Sequence, residues 1–211
     1  VAGAGTSVIA VDGVKKLHGT QYKPIFDRIE AGTYLVAAAA TGGKIEIGNV
    51  RPEKISALLH KLCDNTCNIA VKNDIIYLQS GGVRKSFNIE TLPYPGFPTD
   101  MQAQMVALAA VSEGISVIRE NIFETRFKHV RELNRMGANI VVKDRVAIVS
   151  GVKQLVGAKV VAHDLRGGAA LIVAGLNAAG TTVIEDVRHV ERGYYRPEEK
   201  FRALGADFSR V

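Results

Sequence analysis

A single aspartate and three arginines are the residues of this chain whose types and placement could carry chemistry. Asp100 follows the proline-rich run PYPGFPT, which stiffens the backbone and fixes the direction of the side chain. Arg126, Arg166 and Arg192 each lie beside a predicted element boundary rather than within a helix. Arginine suits bidentate binding of carboxylate or phosphate, so converging arginines would hold a small anionic substrate. Each arginine taken singly is more typical of a surface ion pair, and only the similar placement of all three near repeat boundaries favours convergence.

Predicted helix beginnings offer a second way to attract anions. Three helices are predicted to begin near Asp27, Asp100 and Asp164, and unpaired amides and the helix dipole make such ends attractive to negative charge. A simple N-cap explains Asp27 and Asp164, with a contribution of about 1 kcal/mol each. For Asp100 a cap and a functional carboxylate both remain open.

The histidines and cysteines of the sequence could form a metal site or a hydrolase site, and neither is favoured. His60, Cys63 and Cys67 have a spacing that could hold a metal, but no fourth ligand lies nearby, and structural cysteine is the favoured interpretation. His129 and His189 could titrate near neutrality. Neither has a serine or cysteine nucleophile at a recognisable spacing, so the sequence does not support a hydrolase triad.

An internal repeat supplies the elements that must position these residues. Segments opening at Asp27, Asp100 and Asp164 each run through small apolar residues to a glycine and then a β-rich stretch. A second helix follows in each copy, marked by apolar residues at helical spacing: Ile55, Leu58, Leu59 and Leu62; Val130, Leu133 and Met136; Phe201 and Leu204. Hairpin turns are predicted at Asn73-Asp74 and Lys143-Asp144.

The repeat predicts an α/β fold of three helix-strand-helix-hairpin units near 27–90, 100–160 and 164–211, packed around shared helices. The third unit stops at Val211, before its hairpin. We expect 27–211 to form one domain and 1–26 to be remnant strands of a preceding N-terminal domain.

The amino-acid composition limits the classes of protein to which this chain can belong. The 211 residues are 47% apolar and 23% charged, as in globular proteins, and no apolar run is long enough to span a bilayer. Two cysteines and the lack of a basic-then-apolar leader favour a cytoplasmic protein. The net charge of +6 and a pI near 9.4 permit nucleic-acid binding, but the basic residues are scattered among acidic ones. The chain has no tryptophan and only 6% aromatic residues, which argues further against a nucleic-acid surface.

Several long motifs carry a family resemblance. The segments PYPGFPTDMQAQ, IFETRFKHVRELNRMGA, DLRGGAALIVAGLNAAGTTVI and HVERGYYRPEEKFRALGA together resemble the C-terminal half of the UDP-N-acetylglucosamine 1-carboxyvinyltransferases, within the enolpyruvyl transferase family. The resemblance covers nearly the whole chain. It implies one domain of an inside-out α/β barrel, which agrees with the three predicted repeats. It also implies transfer of enolpyruvyl from phosphoenolpyruvate to the sugar's 3-hydroxyl in peptidoglycan synthesis, with no cofactor and no metal.

The resemblance implies roles for five residues. Asp100 would contact the 3-hydroxyl and act as its base, Ile122 would contact the nucleotide sugar, and Arg126, Arg166 and Arg192 would hold phosphoenolpyruvate. The family's DLRAxA pattern appears here as DLRGGAA, so a glycine loosens the helix start while the arginine remains.

The family's catalytic cysteine loop belongs to the N-terminal half, and Cys63 and Cys67 do not match it. We therefore expect this chain to lack that partner domain and to be inactive alone. Two alternatives stay open, a nucleic-acid end-processing or binding protein on a similar fold and a non-catalytic scaffold.

Overall fold

Three small-residue helices pack against one another at the centre of the computed structural model, with strands around them. The structure describes residues 1–4, 6 and 8–210; Gly5 and Ser7 of the first glycine-containing segment, and the final Val211, lie outside the described residues. The helices are α1 (Arg28–Thr41), α2 (Ser56–Asp64), α3 (Gln102–Ala110), α4 (His129–Arg135), α5 (Leu165–Asn177), α6 (Arg188–Glu191) and α7 (Pro197–Ala203). The strands are β1 (Lys44–Ile47), β2 (Asn68–Lys72), β3 (Ile75–Gln79), β4 (Ile89–Glu90), β5 (Ile115–Arg119), β6 (Asn139–Lys143), β7 (Val146–Ser150), β8 (Lys159–Val161) and β9 (Val183–Glu185).

The central helices α1, α3 and α5 are apolar on nearly every side, which is the pattern of a helix buried all round. Every residue of α3 is buried, as are most of those in α1 and α5. The side chain of Asp27 accepts hydrogen bonds from two amides of the first turn of α1, and Asp164 does the same for α5. The predicted N-caps at Asp27 and Asp164 are therefore confirmed.

Contacts at both ends show that the three helices run parallel. Near their beginnings, the side-chain amide of Gln104 in α3 donates to the hydroxyl of Thr33 in α1 over 3.1 Å. At the far end, the side-chain amide of Asn177 in α5 donates to the carbonyl of Ala40 in α1 over 2.7 Å. The beginnings of the central helices therefore lie together at one end of the domain.

The first two sheets share the same local order. In the first unit β3 pairs antiparallel with β1 and β2, and in the second β7 pairs antiparallel with β5 and β6, while β4 adds in parallel to β5. The third sheet consists of β8 and β9 in parallel. The Asn73-Asp74 turn is confirmed, because both residues have the positive φ that a tight hairpin requires. The second turn is one residue later than predicted: Lys143 remains in β6 and Asp144 takes the positive φ.

The described residues of the first part of the chain have little regular structure. The described residues between 1 and 25 are exposed, and one antiparallel bridge joins Ala2 to Ala10. Within the described part of the chain, no helix has the length and apolar character needed to cross a membrane.

Candidate active site

Asp100 lies where two of the three predicted arginines converge. It is in a short 3-10 helix, Thr99–Met101, that leads into α3, and its side chain caps neither helix. Instead, Arg126 donates from Nη2 to Oδ1 over 2.6 Å, and Arg166 donates from Nη2 to Oδ2 over 3.3 Å. The simple N-cap interpretation of Asp100 is therefore wrong, because the carboxylate bridges two guanidinium groups.

Three separate elements bring these groups together. Arg126 lies in the loop between β5 and α4, and its guanidinium is 4.8 Å from the ring centroid of Phe123. Arg166 is in the first turn of α5, directly after the N-cap Asp164. The arginine side chains are only 18% and 15% exposed, whereas that of Asp100 is 42% exposed. The arginines are thus fixed by the fold, and the carboxylate remains open to a ligand.

The charges of this cluster decide the ionisation of Asp100. Partial burial alone would raise the pKa of the Asp100 carboxyl, but Arg166 and Arg126 outweigh that effect and hold its pKa below the usual value. The pKa of Arg166 is raised; burial alone would lower it, but Asp100 outweighs that effect. Asp100 is therefore an ionised hydrogen-bond acceptor and, while both arginines are paired with it, a weak base.

A buried polar group lies behind Arg166. The hydroxyl of Tyr194 is 2.8 Å from that of Thr33, and the side-chain amide of Gln104 donates to it over 3.4 Å. Arg166 adjoins the same hydroxyl, and burial raises the pKa of Tyr194. Sequence reasoning missed this residue, since the adjacent Tyr195 in the GYY motif is 71% exposed and nothing in the motif shows which ring is buried.

The two other predicted site residues lie outside the ion-pair cluster. Ile122 is 39% exposed in the loop that also carries Arg126. Arg192 is exposed at the end of α6, and in the part of the chain that the structure describes it has no carboxylate within 4.0 Å. Its neighbour Gly193 packs against Leu165 at the beginning of α5, which places this segment beside Arg166.

His129 does not titrate near neutrality as predicted. It is 2% exposed at the beginning of α4, and neither ring nitrogen has a hydrogen-bond partner. Burial lowers its pKa to about 4; the charge of the nearby Arg126 adds to this effect, whereas Asp164 and the backbone of Arg126 oppose it. His129 is therefore a neutral core residue, and His189 pairs with Asp186 over 3.4 Å.

The cysteines differ in their surroundings. Cys63 is exposed, Cys67 is buried, and burial raises the pKa of the Cys67 thiol to about 11. His60, on the same helix as Cys63, is exposed. Residues 1–4, 6 and 8–210 contain no group of three or more His, Cys, Asp or Glu side chains placed to hold a metal ion.

Comparisons with known proteins agree with this geometry. The family described as EPSP synthase (3-phosphoshikimate 1-carboxyvinyltransferase) matches residues 1–201. UDP-N-acetylglucosamine 1-carboxyvinyltransferase 1 of Caldanaerobacter subterraneus is 52% identical over all of this chain and 51% of its own length. The corresponding enzyme of Vesicomyosocius okutanii is 51% identical with the same coverage. The chain thus spans about half the length of the curated relatives it matches.

Solved structures show the same architecture. The enolpyruvyl transferase NikO from Streptomyces tendae superposes with a TM-score of 0.73 at 28% identity, over 88% of this chain and 44% of that one. EPSP synthase from Acinetobacter baumannii gives a TM-score of 0.67 at 17% identity, over 87% of this chain and 46% of its own, which bears on the fold alone. The predicted inside-out α/β architecture and the predicted resemblance are both confirmed. The chain belongs to the EPSP synthase (3-phosphoshikimate 1-carboxyvinyltransferase) family of enolpyruvyl transferases.

Proposed function

We propose that this chain is part of an enzyme that transfers the enolpyruvyl group of phosphoenolpyruvate to the 3-hydroxyl of UDP-N-acetylglucosamine. The observation that carries the proposal is the half-exposed Asp100 carboxylate shared by two largely buried arginines. The names of the relatives support the same reaction and give no support to a nucleic-acid function. The convergence of Asp100, Arg126 and Arg166 also argues against a non-catalytic scaffold.

Asp100 would accept the proton of the attacking hydroxyl. While both arginines are paired with it, its lowered pKa makes it a poor base. Phosphoenolpyruvate carries a phosphate and a carboxylate, and either group would compete with Asp100 for Arg126 or Arg166. An arginine drawn toward the substrate would leave Asp100 with a higher pKa. The anionic substrate would thereby strengthen the base that its own reaction requires.

The remaining steps follow from atom balance. The hydroxyl oxygen adds to C2 of phosphoenolpyruvate while a proton adds to C3, which gives a tetrahedral ketal that retains phosphate and carboxylate. Loss of phosphate and of a C3 proton then restores the double bond. Arg126, Arg166 and Arg192 would hold the anionic groups as charge redistributes, and Ile122 would contact the nucleotide sugar. The C3 proton donor would come from the half of the relatives' length that this chain does not match.

The division of the chain follows the same proposal. Residues 27–211 would form the three-repeat domain, and 1–26 would pair with strands of an N-terminal domain that carries the cysteine loop. Closure of the two domains would exclude water and complete the site. We infer a cytoplasmic enzyme of peptidoglycan synthesis, and through it of cell shape and division. The 211-residue chain alone would release no phosphate from the two substrates.

The test is phosphate release by the full-length enzyme, meaning this chain together with the half of the relatives' length it does not match. Asp100→Asn should lower kcat by about 10²–10⁴-fold, the usual contribution of a general base. Asp27→Asn is the matched control, since it makes the same chemical change at a true N-cap, where asparagine serves as well as aspartate. Turnover of Asp100→Asn within a few-fold of the control would remove Asp100 as the base.

A further inference from the structure

Glu120 is a buried acidic residue outside the ion-pair cluster, and its carboxyl group is fully occupied. It lies directly after β5 and is 0% exposed. Its Oε1 accepts hydrogen bonds from the Thr91 hydroxyl over 2.8 Å and from the amides of Ile122 and Phe123 over 2.9 and 3.1 Å. Its Oε2 accepts from the Thr99 hydroxyl over 2.9 Å. Burial of a carboxyl group is costly without such partners, so these four bonds are what make the position tenable.

The two oxygens of Glu120 join two parts of the candidate site. Oε1 holds the loop that carries Ile122 and Arg126, and Phe123 in that loop lies under the Arg126 guanidinium. Oε2 holds Thr99, the residue immediately before Asp100. Because one carboxyl group spans both contacts, the loop and the 3-10 helix that carries Asp100 are kept at a fixed separation.

We propose that Glu120 is a positioning residue that holds the loop bearing Ile122 and Arg126 against Asp100 and thereby sets the geometry of the sugar-nucleotide end of the site. The inference rests on the proposed function for the identity of the substrate. The hydrogen bonds that Glu120 makes to the loop and to Thr99 belong to this chain, and their effect on Asp100 can be measured without turnover. If Glu120 served stability alone, its removal would lower stability without changing the environment of Asp100.

The first readout is the titration of the Asp100 carboxyl by carbon NMR in this chain. In Glu120→Ala the loop loses its acceptor, Arg126 drifts from the carboxylate, and the pKa of Asp100 should rise toward its ordinary value of 3.8. Thr99→Val is a milder variant that removes only the Oε2 contact and keeps the side-chain shape; it should shift the titration in the same direction. Glu120→Gln keeps an acceptor for the two amides and should restore most of the parent titration.

Asn65→Ala is the control for general destabilisation. Asn65 is also 0% exposed, and its side-chain amide donates to the Lys85 carbonyl and the Ser112 hydroxyl, away from the site. It should lower stability and leave the Asp100 titration unchanged. An Asp100 pKa at the parent value in both Glu120→Ala and Thr99→Val would overturn the inference. If Glu120→Ala does not fold, Thr99→Val alone decides.

The second readout is steady-state kinetics of the full-length enzyme. Glu120→Ala should lose about 10²-fold in kcat/KM for UDP-N-acetylglucosamine, as expected when reacting groups are misplaced by about 1 Å, with Glu120→Gln largely rescued. A loss no greater than that of Asn65→Ala would contradict the positioning role. Should the unaltered full-length enzyme transfer no enolpyruvyl group, the proposed function fails, while the Asp100 titration still decides whether Glu120 positions the loop.

Discussion

The buried imidazole of His129 should make the stability of this chain fall in acid. Its pKa is about 4 in the folded protein and 6.5 as an ordinary histidine, so between these values the unfolded chain binds a proton that the folded chain does not. Above pH 6.5 His129 causes no loss in the free energy of unfolding, and below it the loss grows as the pH falls toward 4. At about 1.4 kcal/mol for each pH unit, the free energy of unfolding should decrease by about 3 kcal/mol across this window.

Replacing His129 with phenylalanine isolates this contribution. The variant keeps a planar ring in a site where neither nitrogen is hydrogen-bonded, so its stability near neutral pH should match or exceed that of the parent. It should lack the acid-dependent loss, because every other titrating group is shared by the two proteins. The difference in unfolding free energy between variant and parent should therefore grow by about 2 kcal/mol between about pH 7 and about pH 4.5.

Urea denaturation at a series of pH values measures this difference directly. His60→Gln is the matched control, since it removes a histidine that is exposed rather than buried. Proton NMR of the His129 ring would report its titration midpoint independently. Parallel stability profiles for the parent and His129→Phe would show that the imidazole is not held neutral by burial, and the reasoning would be wrong.

Three further changes have outcomes that the structure predicts. Asp100→Asn should lower the free energy of unfolding of this chain by about 1 kcal/mol near neutral pH, a value reduced by solvent screening of the half-exposed carboxylate. This cost should vanish as the pH falls through the lowered pKa of Asp100. Asp27→Asn, also measured by urea denaturation, should show no such loss. Gly168→Ala should destabilise the chain by about 1–3 kcal/mol in the same assay, because its Cβ would overlap a methyl group of Val190 in α6. Gly82→Ala is the control, since its Cβ meets open space and stability should change little. Equal effects of the two substitutions would contradict the packing argument. Tyr194→Phe should lower the thermal unfolding midpoint and cost about 1 kcal/mol, since it removes the buried hydrogen bond between the Tyr194 and Thr33 hydroxyls while Thr33 keeps its bond to Gln104; an unchanged midpoint would show that this hydroxyl does not contribute to stability.

Local signals in the sequence predicted individual caps and turns well. The N-caps at Asp27 and Asp164 and the turn at Asn73-Asp74 depend on neighbouring residues alone, so residue type and spacing suffice to find them. The second hairpin was placed one residue early because strand pairing with β7 keeps Lys143 in β6. Small shifts of this kind follow from tertiary pairing that a local pattern does not contain.

The candidate site was predictable only in part. Asp100, Arg126 and Arg166 could be selected from their types and placement, and their mutual pairing depends on three elements distant in sequence. Glu120 resembles any acidic residue after a strand, because its hydroxyl and amide partners are assembled only by folding. Tertiary contacts, rather than residue preferences, therefore account for what sequence reasoning missed.

The small side chains of the central helices determine where proteins of this architecture can diverge. A Cβ added at Gly32 in α1 would lie within about 3 Å of Leu58 and Met101 side-chain atoms, so this position cannot gain volume without displacing its neighbours. Outward-facing strand residues such as Val71 and Val141 are 51% and 62% exposed and carry no such restriction. Among relatives about half identical to this chain, substitutions should therefore be frequent on the outer faces of the sheets and rare in the central helices α1, α3 and α5.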